Sequence, residues 1–547
     1  MPTLYIAEYQ SFGALEIEQA LDSSKVKDAK ATAQKIFNEL KDFASDEKHS
    51  DFLAHKTKHT LKAKNYVGTI QTKSGFCVEI LPKTFAAERI TQCKKVDSSA
   101  EVDRDQKVDS REMHCKHTYR FEREKIFESF SKFSEHITAK TTKNAAKTAQ
   151  ATDQATATQT TPQTLPTPMQ HLCAICHAKA ILLNCLATLK DTPFKHNHLA
   201  DLHTLRLPLL EIFVRMFIDE CERLVRAGLK SDYLCIAQNR AFLKGKLEFK
   251  DHIAQNFIHK ERFYTSSDEY TQDIAPNRLI QSTLRLLACL SLHPSTRSRL
   301  DTMRFIFADI SPSENIQRDF THSATMSRAK EYETILLWCR VFLEQRAFSP
   351  YSGSDKAVAF VFPMEKLFES FVSFWLKQCA DKDLRITIQE SSKYLLCDEG
   401  GKKIFCLMPD IIMRAKKGAA IIIADTKWKI PNSSTDEKKY GISQGDLYQM
   451  WAYASKYRLE SKNVRVVLIY PQCERTKKLE KEWQHKQWSF KASLESTQCK
   501  KVDSSAETDC HADKSARNDN ATAVSEKVDS SAKTDPITIS LAFAPLG

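Results

Sequence analysis

Two aspartates and a lysine make up the chemically most telling group in this chain. Met408-Pro409-Asp410 is followed, a short loop later, by Ala424-Asp425-Thr426-Lys427-Trp428-Lys429. Residues 403–414 and 420–429 read as the two arms of a β-hairpin. In an extended strand the side chains at i and i+2 share a face, so Asp425 and Lys427 point the same way. Asp410, near the end of the partner arm, can be brought beside them. Asp410 and Asp425 are hard oxygen ligands suited to Mg²⁺, and the carbonyl of Thr426 can supply a further oxygen. Lys427 can orient or help deprotonate a water and offset charge on a phosphate. Together these are the parts needed to cut a phosphodiester with a divalent metal. An Asp-x-Lys tripeptide alone carries little information, and the competing reading is a hairpin with two unrelated surface acids and a lysine. The Pro-Asp element, and the apolar run 420–424 that ends at the acid, favour the metal site.

Flanking elements must hold that group. The helix expected over 444–457 places Gln449 and Tyr453 at i and i+4, on one face. A polar pair on an inner helix face needs partners, and a phosphate or Lys427 would serve. Taken alone, the pattern favours an ordinary amphipathic helix with Tyr453 in the core. The amphipathic helix over 364–379 carries Glu365 and Glu369. Glu365 reads as solvated. Glu369 lies within the core-facing run Leu367-Phe368-Glu369-Ser370-Phe371-Val372 and is open between reaching the metal and a structural role. Strands are expected at 384–389 and 464–470, with a final pair at 487–494 and 537–543. The order α-β-β-β-α-β predicts a mixed sheet with helices packed on it, over 357–547.

Upstream, residues 1–90 contain a β-hairpin, Tyr66 to Thr72 and Phe76 to Lys83, about Lys73-Ser74-Gly75. Residues 169–350 read as a helical middle region. The expected fold class is therefore α+β or mixed α/β. Between them, 91–168 looks like low-complexity insertion with one possible helix at 119–136. Thr91 to Glu101 recurs word for word as Thr497 to Glu507, and shorter echoes follow Lys107 and Lys527. The copies are polar and irregularly spaced, which excludes a stacked repeat array and suggests disordered surface loops, with the second insertion at about 497–535.

The 547 residues, 42% of them hydrophobic, suffice for two or three domains with real cores. No apolar run of membrane-spanning length occurs, and the start lacks a secretory pattern, so no membrane partner and a cytoplasmic location are expected. The 16 cysteines are scattered, which suits reduced buried thiols. His171-Leu172-Cys173-Ala174-Ile175-Cys176-His177 invites a zinc reading, but it continues as an apolar helix with no second cysteine pair. A net charge of +12 weakly favours an anionic partner. No Gly-x-x-x-x-Gly-Lys-Ser/Thr loop is present, so any nucleotide energy must come from another subunit.

These residues resemble the PD-(D/E)xK nuclease superfamily, and more closely the McrC-type subunits of McrBC 5-methylcytosine restriction systems. The resemblance rests on Val67-Gly68-Thr69-Ile70 with Glu79-Ile80-Leu81-Pro82-Lys83, Arg226-Ala227-Gly228-Leu229 with Tyr233, Leu243-Lys244-Gly245-Lys246, Asp273 with Asn277-Arg278, Leu367-Phe368-Glu369, Pro409-Asp410, Asp425-Thr426-Lys427 and Gln449 to Tyr453. It implies an Mg²⁺-dependent endonuclease subunit that cuts methylated double-stranded DNA. It also implies a separate McrB-type AAA+ ring that binds GTP and recognises the modified base. The N-terminal region of the subunit would enter that ring and stimulate GTP hydrolysis. A non-cleaving regulatory subunit and a stand-alone repair nuclease of the same superfamily are the alternatives.

Overall fold

The computed structural model describes residues 2–84, 123–142, 174–189, 193–195, 207–344, 357–490 and 537–546, less short gaps at 22–25, 27, 48, 326–328, 400, 417–419, 432–441, 462 and 484–487. The repeat-bearing stretches 91–118 and 497–535, and 143–168 of the Thr/Ala/Gln tract, lie outside the described residues.

A six-stranded mixed sheet forms the C-terminal half, in the order Leu384–Ile388, Ile411–Ala415, Ala420–Thr426, Asn463–Pro471, Ile537–Ala544, Trp488–Phe490. Ala420–Thr426, Asn463–Pro471 and Ile537–Ala544 run parallel, and the outer pairings are antiparallel. Strands buried on both faces are continuous in Ile and Val, and side-chain parity decides which face each residue serves. Ile422, Ala424, Val467 and Ile469 point into one core, packed by Leu367, Phe368 and Phe371 of helix Met364–Cys379. Ile421, Ile423, Val466 and Leu468 point into the other, packed by Met450, Tyr453 and Tyr457 of helix Gln444–Tyr457. The mixed α/β class and both helices agree with expectation.

The hairpin differs in one arm. Residues 403–414 do not form one strand: Lys403–Leu407 pairs with Lys393–Cys397 as a separate two-stranded ribbon, and pairing in the main sheet begins at Ile411. Pro409 has no amide hydrogen to donate to a ladder, so the chain breaks at Met408-Pro409-Asp410 and Asp410 falls at the strand's mouth.

The N-terminal hairpin, Tyr66–Thr72 with Cys77–Leu81, sits in a four-stranded sheet ordered Thr3–Ala7, Cys77–Leu81, Tyr66–Thr72, Ala357–Pro363. The last of these strands, grouped by sequence with the C-terminal segment, therefore completes the N-terminal sheet before the chain enters helix Met364–Cys379. Gly68 makes that pairing possible. Its φ is 139°, and a Cβ there would lie 2.1 Å from the Phe360 carbonyl oxygen. Gly68→Ala should cost at least about 2 kcal/mol, from backbone strain plus the clash; an unchanged denaturation midpoint would refute this.

The middle region is not wholly helical. Helices Leu209–Ala227, Ala275–Ala288 and Glu333–Leu343 share the main core. Between the first two lies a three-stranded antiparallel sheet, Asp232–Arg240, Phe263–Thr271 and Lys246–Leu247, with the short helix Phe249–Asn256. Its strands are mostly exposed or half-buried and their two buried side chains, Arg240 and Thr265, are polar, so it has no inward apolar stripe to reveal it in the sequence. The possible helix near 119–136 is present as Arg123–Thr142. Cys176 of the Cys/His motif is a buried thiol within helix Ala174–Leu186. Among the described residues no helix is long and apolar enough to cross a membrane.

Candidate active site

Strand Ala420–Thr426 carries the centre of the site. Ile421, Ile423 and Asp425 share the face covered by helix Gln444–Tyr457. The ladder ends with Ile411 opposite Ala424, which puts Asp410 next to the acidic end of this strand. Thr426 closes the gap: its amide N–H and its hydroxyl both donate to Asp410 Oδ2, at 2.7 and 2.6 Å. The sequence suggested only the Thr426 carbonyl as a functional group. Its N–H and hydroxyl turn out to orient Asp410, leaving the other carboxylate oxygen available.

Lys427 forms an ion pair with Asp425, as the shared strand face requires. Its ammonium also donates to Gln449 Oε1 at 2.8 Å. Gln449 Nε2 donates in turn to the Tyr453 hydroxyl at 2.8 Å, and that hydroxyl donates to the Met408 carbonyl at 3.2 Å. One polar chain thus runs from the lysine, through the i and i+4 pair of the helix, back to the Met408-Pro409-Asp410 turn. Tyr453 is both a core residue and a member of this chain; burial raises its hydroxyl to about 12, so it stays a neutral donor.

Glu369 stands apart. Its Oε1 accepts from Gln389 Nε2 at 2.8 Å, and Gln389 holds a positive φ of 49°. Burial raises the Glu369 carboxyl, and Asp410 raises it further. Among the described residues, no three His, Cys, Asp or Glu side chains converge as a metal cluster. The two aspartates are therefore the carboxylate core, with Glu369 beside it under the control of Gln389.

The aspartates carry a charge problem. Asp425 is 1% exposed, and burial, then the neighbouring Asp410, push its carboxyl up to about 7 against the opposing pull of Lys427. Asp410 is raised by burial, offset by the bonds from Thr426 and by Lys427. Asp425 Oδ2 is buried without a well-directed hydrogen bond. Two hard oxygen ligands, one buried and one half-buried, incompletely neutralised by one lysine, fit a divalent cation such as Mg²⁺. Because Asp425 must lose its proton to bind a metal, affinity for Mn²⁺ should rise about tenfold from pH 6 to pH 8, as expected for a carboxyl titrating near 7. Calorimetry at the two pH values checks this, and equal affinities would refute it.

Four further neighbours of the site were not picked out by sequence patterning. Asp446, in the first turn of helix Gln444–Tyr457, is nearly buried and takes both of its bonds from Lys429 Nζ, each 2.9 Å. Its acidic position at a helix N-terminus reads as ordinary capping. The others are Gln389, Trp428 and Glu8.

A mixed sheet flanked by helices, with two carboxylates and a lysine gathered at the mouth of adjacent strands, defines an acid–lysine site. The chain belongs to the McrBC family: the family model described as McrBC 5-methylcytosine restriction system component matches residues 61–471, a span that includes every site residue named above except Glu8. Among solved structures, it is similar to a chain of the refined half-complex from a tetradecameric assembly of Thermococcus gammatolerans McrB AAA+ hexamers with bound McrC. The identity is 16%, the coverage 86% of this chain and 88% of that one, and the TM-score 0.48. It is also similar to a chain of the cryo-EM structure of the Thermococcus gammatolerans McrBC complex, at 16% identity, with 69% and 87% covered and a TM-score of 0.33. No curated protein matches.

Proposed function

We propose that this chain is the metal-dependent endonuclease subunit of a modification-dependent restriction complex, of the PD-(D/E)xK type, and that it cleaves methylated double-stranded DNA. The observation that carries this reading is the half-buried Asp410 beside the buried Asp425, itself paired with Lys427, with Asp425 raised to about 7. Asp410, Asp425 and the Thr426 carbonyl would hold Mg²⁺, which when bound supplies Lewis-acid charge at the scissile phosphate.

The protein's own groups do the rest. Thr426 fixes the orientation of Asp410. Asp425 keeps the Lys427 ammonium charged: burial lowers its proton affinity, but Asp425 more than restores it. Lys427 can then place a water and offset negative charge developing on the phosphate. Gln449 and Tyr453 set the position of that ammonium. Glu369 lies where it can accept a proton or a hydrogen bond at the rim.

The partner is a McrB-type AAA+ GTPase ring, whose GTP hydrolysis this chain stimulates. Exposed apolar side chains on the three-stranded module, the Tyr233–Tyr270 ring pair at one end and Phe242, Phe257 and Ile258 toward the other, support a protein partner, since exposed apolar surface marks interaction sites.

The test combines the chain with the McrB-type partner, GTP, Mg²⁺ and duplex DNA with or without 5-methylcytosine. Double-strand cuts that require every component support the proposal. Stimulated GTP hydrolysis without cutting would favour the regulatory reading, and cutting without partner or GTP would favour a stand-alone nuclease.

A further inference from the structure

The strand that carries Lys427 does not end free. The next residue, Trp428, lies on the opposite side-chain face, where its indole packs tilted against Phe368 with ring centroids 5.2 Å apart. Phe368 precedes Glu369 in helix Met364–Cys379. Trp428 is 3% exposed and its indole N–H donates to Glu8 Oε2 at 2.8 Å. Glu8 follows strand Thr3–Ala7 at the other end of the chain, and it too is nearly fully buried. The same Glu8 oxygen accepts from the Lys83 amide at 3.0 Å, and the Lys83 ammonium donates to the Trp428 carbonyl at 2.6 Å. The Lys83 side chain also lies 5.0 Å from the Tyr9 ring centroid. Tyr9 adopts a φ of 64°, a conformation uncommon for a residue with a Cβ, and it places Glu8 at the start of a tight turn.

Two groups of the Trp428 residue, the indole N–H and the main-chain carbonyl, are thus bound by two residues of the N-terminal sheet. The Lys427 peptide lies between two anchors: Thr426 tied to Asp410 on one side, and Trp428 tied to Glu8 and Lys83 on the other. A fold that needed only to bury Trp428 could do so against Phe368. A buried carboxylate and a half-buried ammonium, both costly to desolvate, are instead committed to one peptide beside the site.

We propose that Glu8, Lys83 and Trp428 form a positioning joint through which the N-terminal sheet sets the placement of Lys427 and the Thr426 peptide. Loosening the joint displaces the ammonium and the Thr426 carbonyl together. A displacement of about 1 Å at reacting groups can cost on the order of a hundredfold in rate. The inference rests on the nuclease reading above.

The test uses the full chain in complex with its partner and compares Glu8→Leu, Glu8→Gln and Trp428→Phe with the unaltered protein. Two quantities are read: the single-turnover cleavage rate at saturating Mg²⁺, and Mn²⁺ affinity of the chain alone by calorimetry. Glu8→Leu, which leaves both N–H donors without their acceptor, should slow cleavage at least tenfold and weaken Mn²⁺ binding severalfold. Trp428→Phe, which keeps the ring on Phe368 but deletes the donor, should do the same to a smaller degree. Glu8→Gln retains an acceptor oxygen and should restore most of both. Rates and affinities within twofold of the unaltered protein for folded Glu8→Leu and Trp428→Phe would overturn the joint. If Glu8→Leu fails to fold, Trp428→Phe against Glu8→Gln decides by the same criteria. If the unaltered protein binds Mn²⁺ but cuts nothing, the nuclease reading fails, and the joint is judged on metal affinity alone.

Discussion

Asp425→Ala is expected to reduce DNA cleavage by at least about a thousandfold while leaving assembly with the partner and stimulation of GTP hydrolysis unchanged. The residue is almost fully buried at the end of a central strand, so it contributes nothing to an outer binding surface. Its loss removes a carboxylate from the cation site and also frees Lys427 from its ion pair. Lewis-acid stabilisation contributes several kcal/mol, and each increment of about 1.4 kcal/mol is a factor of ten in rate. Asp425→Asn separates charge from shape. It should be as inactive as alanine, yet more stable than the unaltered protein in the absence of metal at pH 8. The sign follows from the raised carboxyl. Between the ordinary aspartate range and about 7 the folded state holds a proton that the unfolded state has released, so stability falls as pH rises through this window. The full penalty is present above 7. Asparagine escapes it. Unimpaired cleavage by either variant would remove Asp425 from the catalytic machinery.

The largest effect on stability is expected at Lys179. This ammonium is 1% exposed in helix Ala174–Leu186 and lies 3.0 Å from Glu79 Oε2 on the N-terminal sheet. It also donates to the Leu207 carbonyl at 2.8 Å and sits 4.9 Å from the Tyr5 ring centroid. Burial alone would lower its proton affinity, but Glu79 and Tyr5 raise it well above that of an ordinary lysine. Glu79 Oε1 accepts from the Leu209 amide at 2.6 Å, at the start of helix Leu209–Ala227. One buried ion pair therefore ties a strand to two helices. Lys179→Met leaves the Glu79 carboxylate uncompensated and should cost about 3–5 kcal/mol, a large part of a typical folding free energy. Adding Glu79→Gln should recover much of that loss, because the double variant buries no unpaired charge. Denaturant midpoints for the two single variants and the double variant provide the cycle. A loss below about 1 kcal/mol for Lys179→Met would mean that solvent reaches the pair.

Much of the C-terminal half was legible from local patterning. The i and i+2 rule assigned Asp425 and Lys427 to one face, and that follows from strand geometry whatever the surrounding fold. Helical spacing likewise put Gln449 beside Tyr453, and the apolar run Ala420 to Ala424 marked a strand ending at the acid. Reading 403–414 as one arm ran straight through Pro409, whose missing N–H stops the ladder without showing which strand takes up the pairing afterwards. The sheet between Asp232 and Thr271 escaped notice for the opposite reason: its few buried side chains, Arg240 and Thr265, are polar, so it has no apolar period to read.

What local patterning could not supply are contacts between residues far apart in the chain. Thr426 orients Asp410, Gln389 holds Glu369, and Lys429 engages Asp446. Glu8 reaches Trp428, and Ala357–Pro363 completes a sheet begun at Thr3. Periodicity reports which way a side chain faces within its own element, since that depends only on backbone geometry. It carries no record of which element lies opposite, because that is settled by the simultaneous burial of all the apolar faces. The pairing of Asp425 with Lys427 is thus a property of one strand, whereas the raised carboxyl of Asp425 and the anchoring of Lys427 belong to the packed molecule.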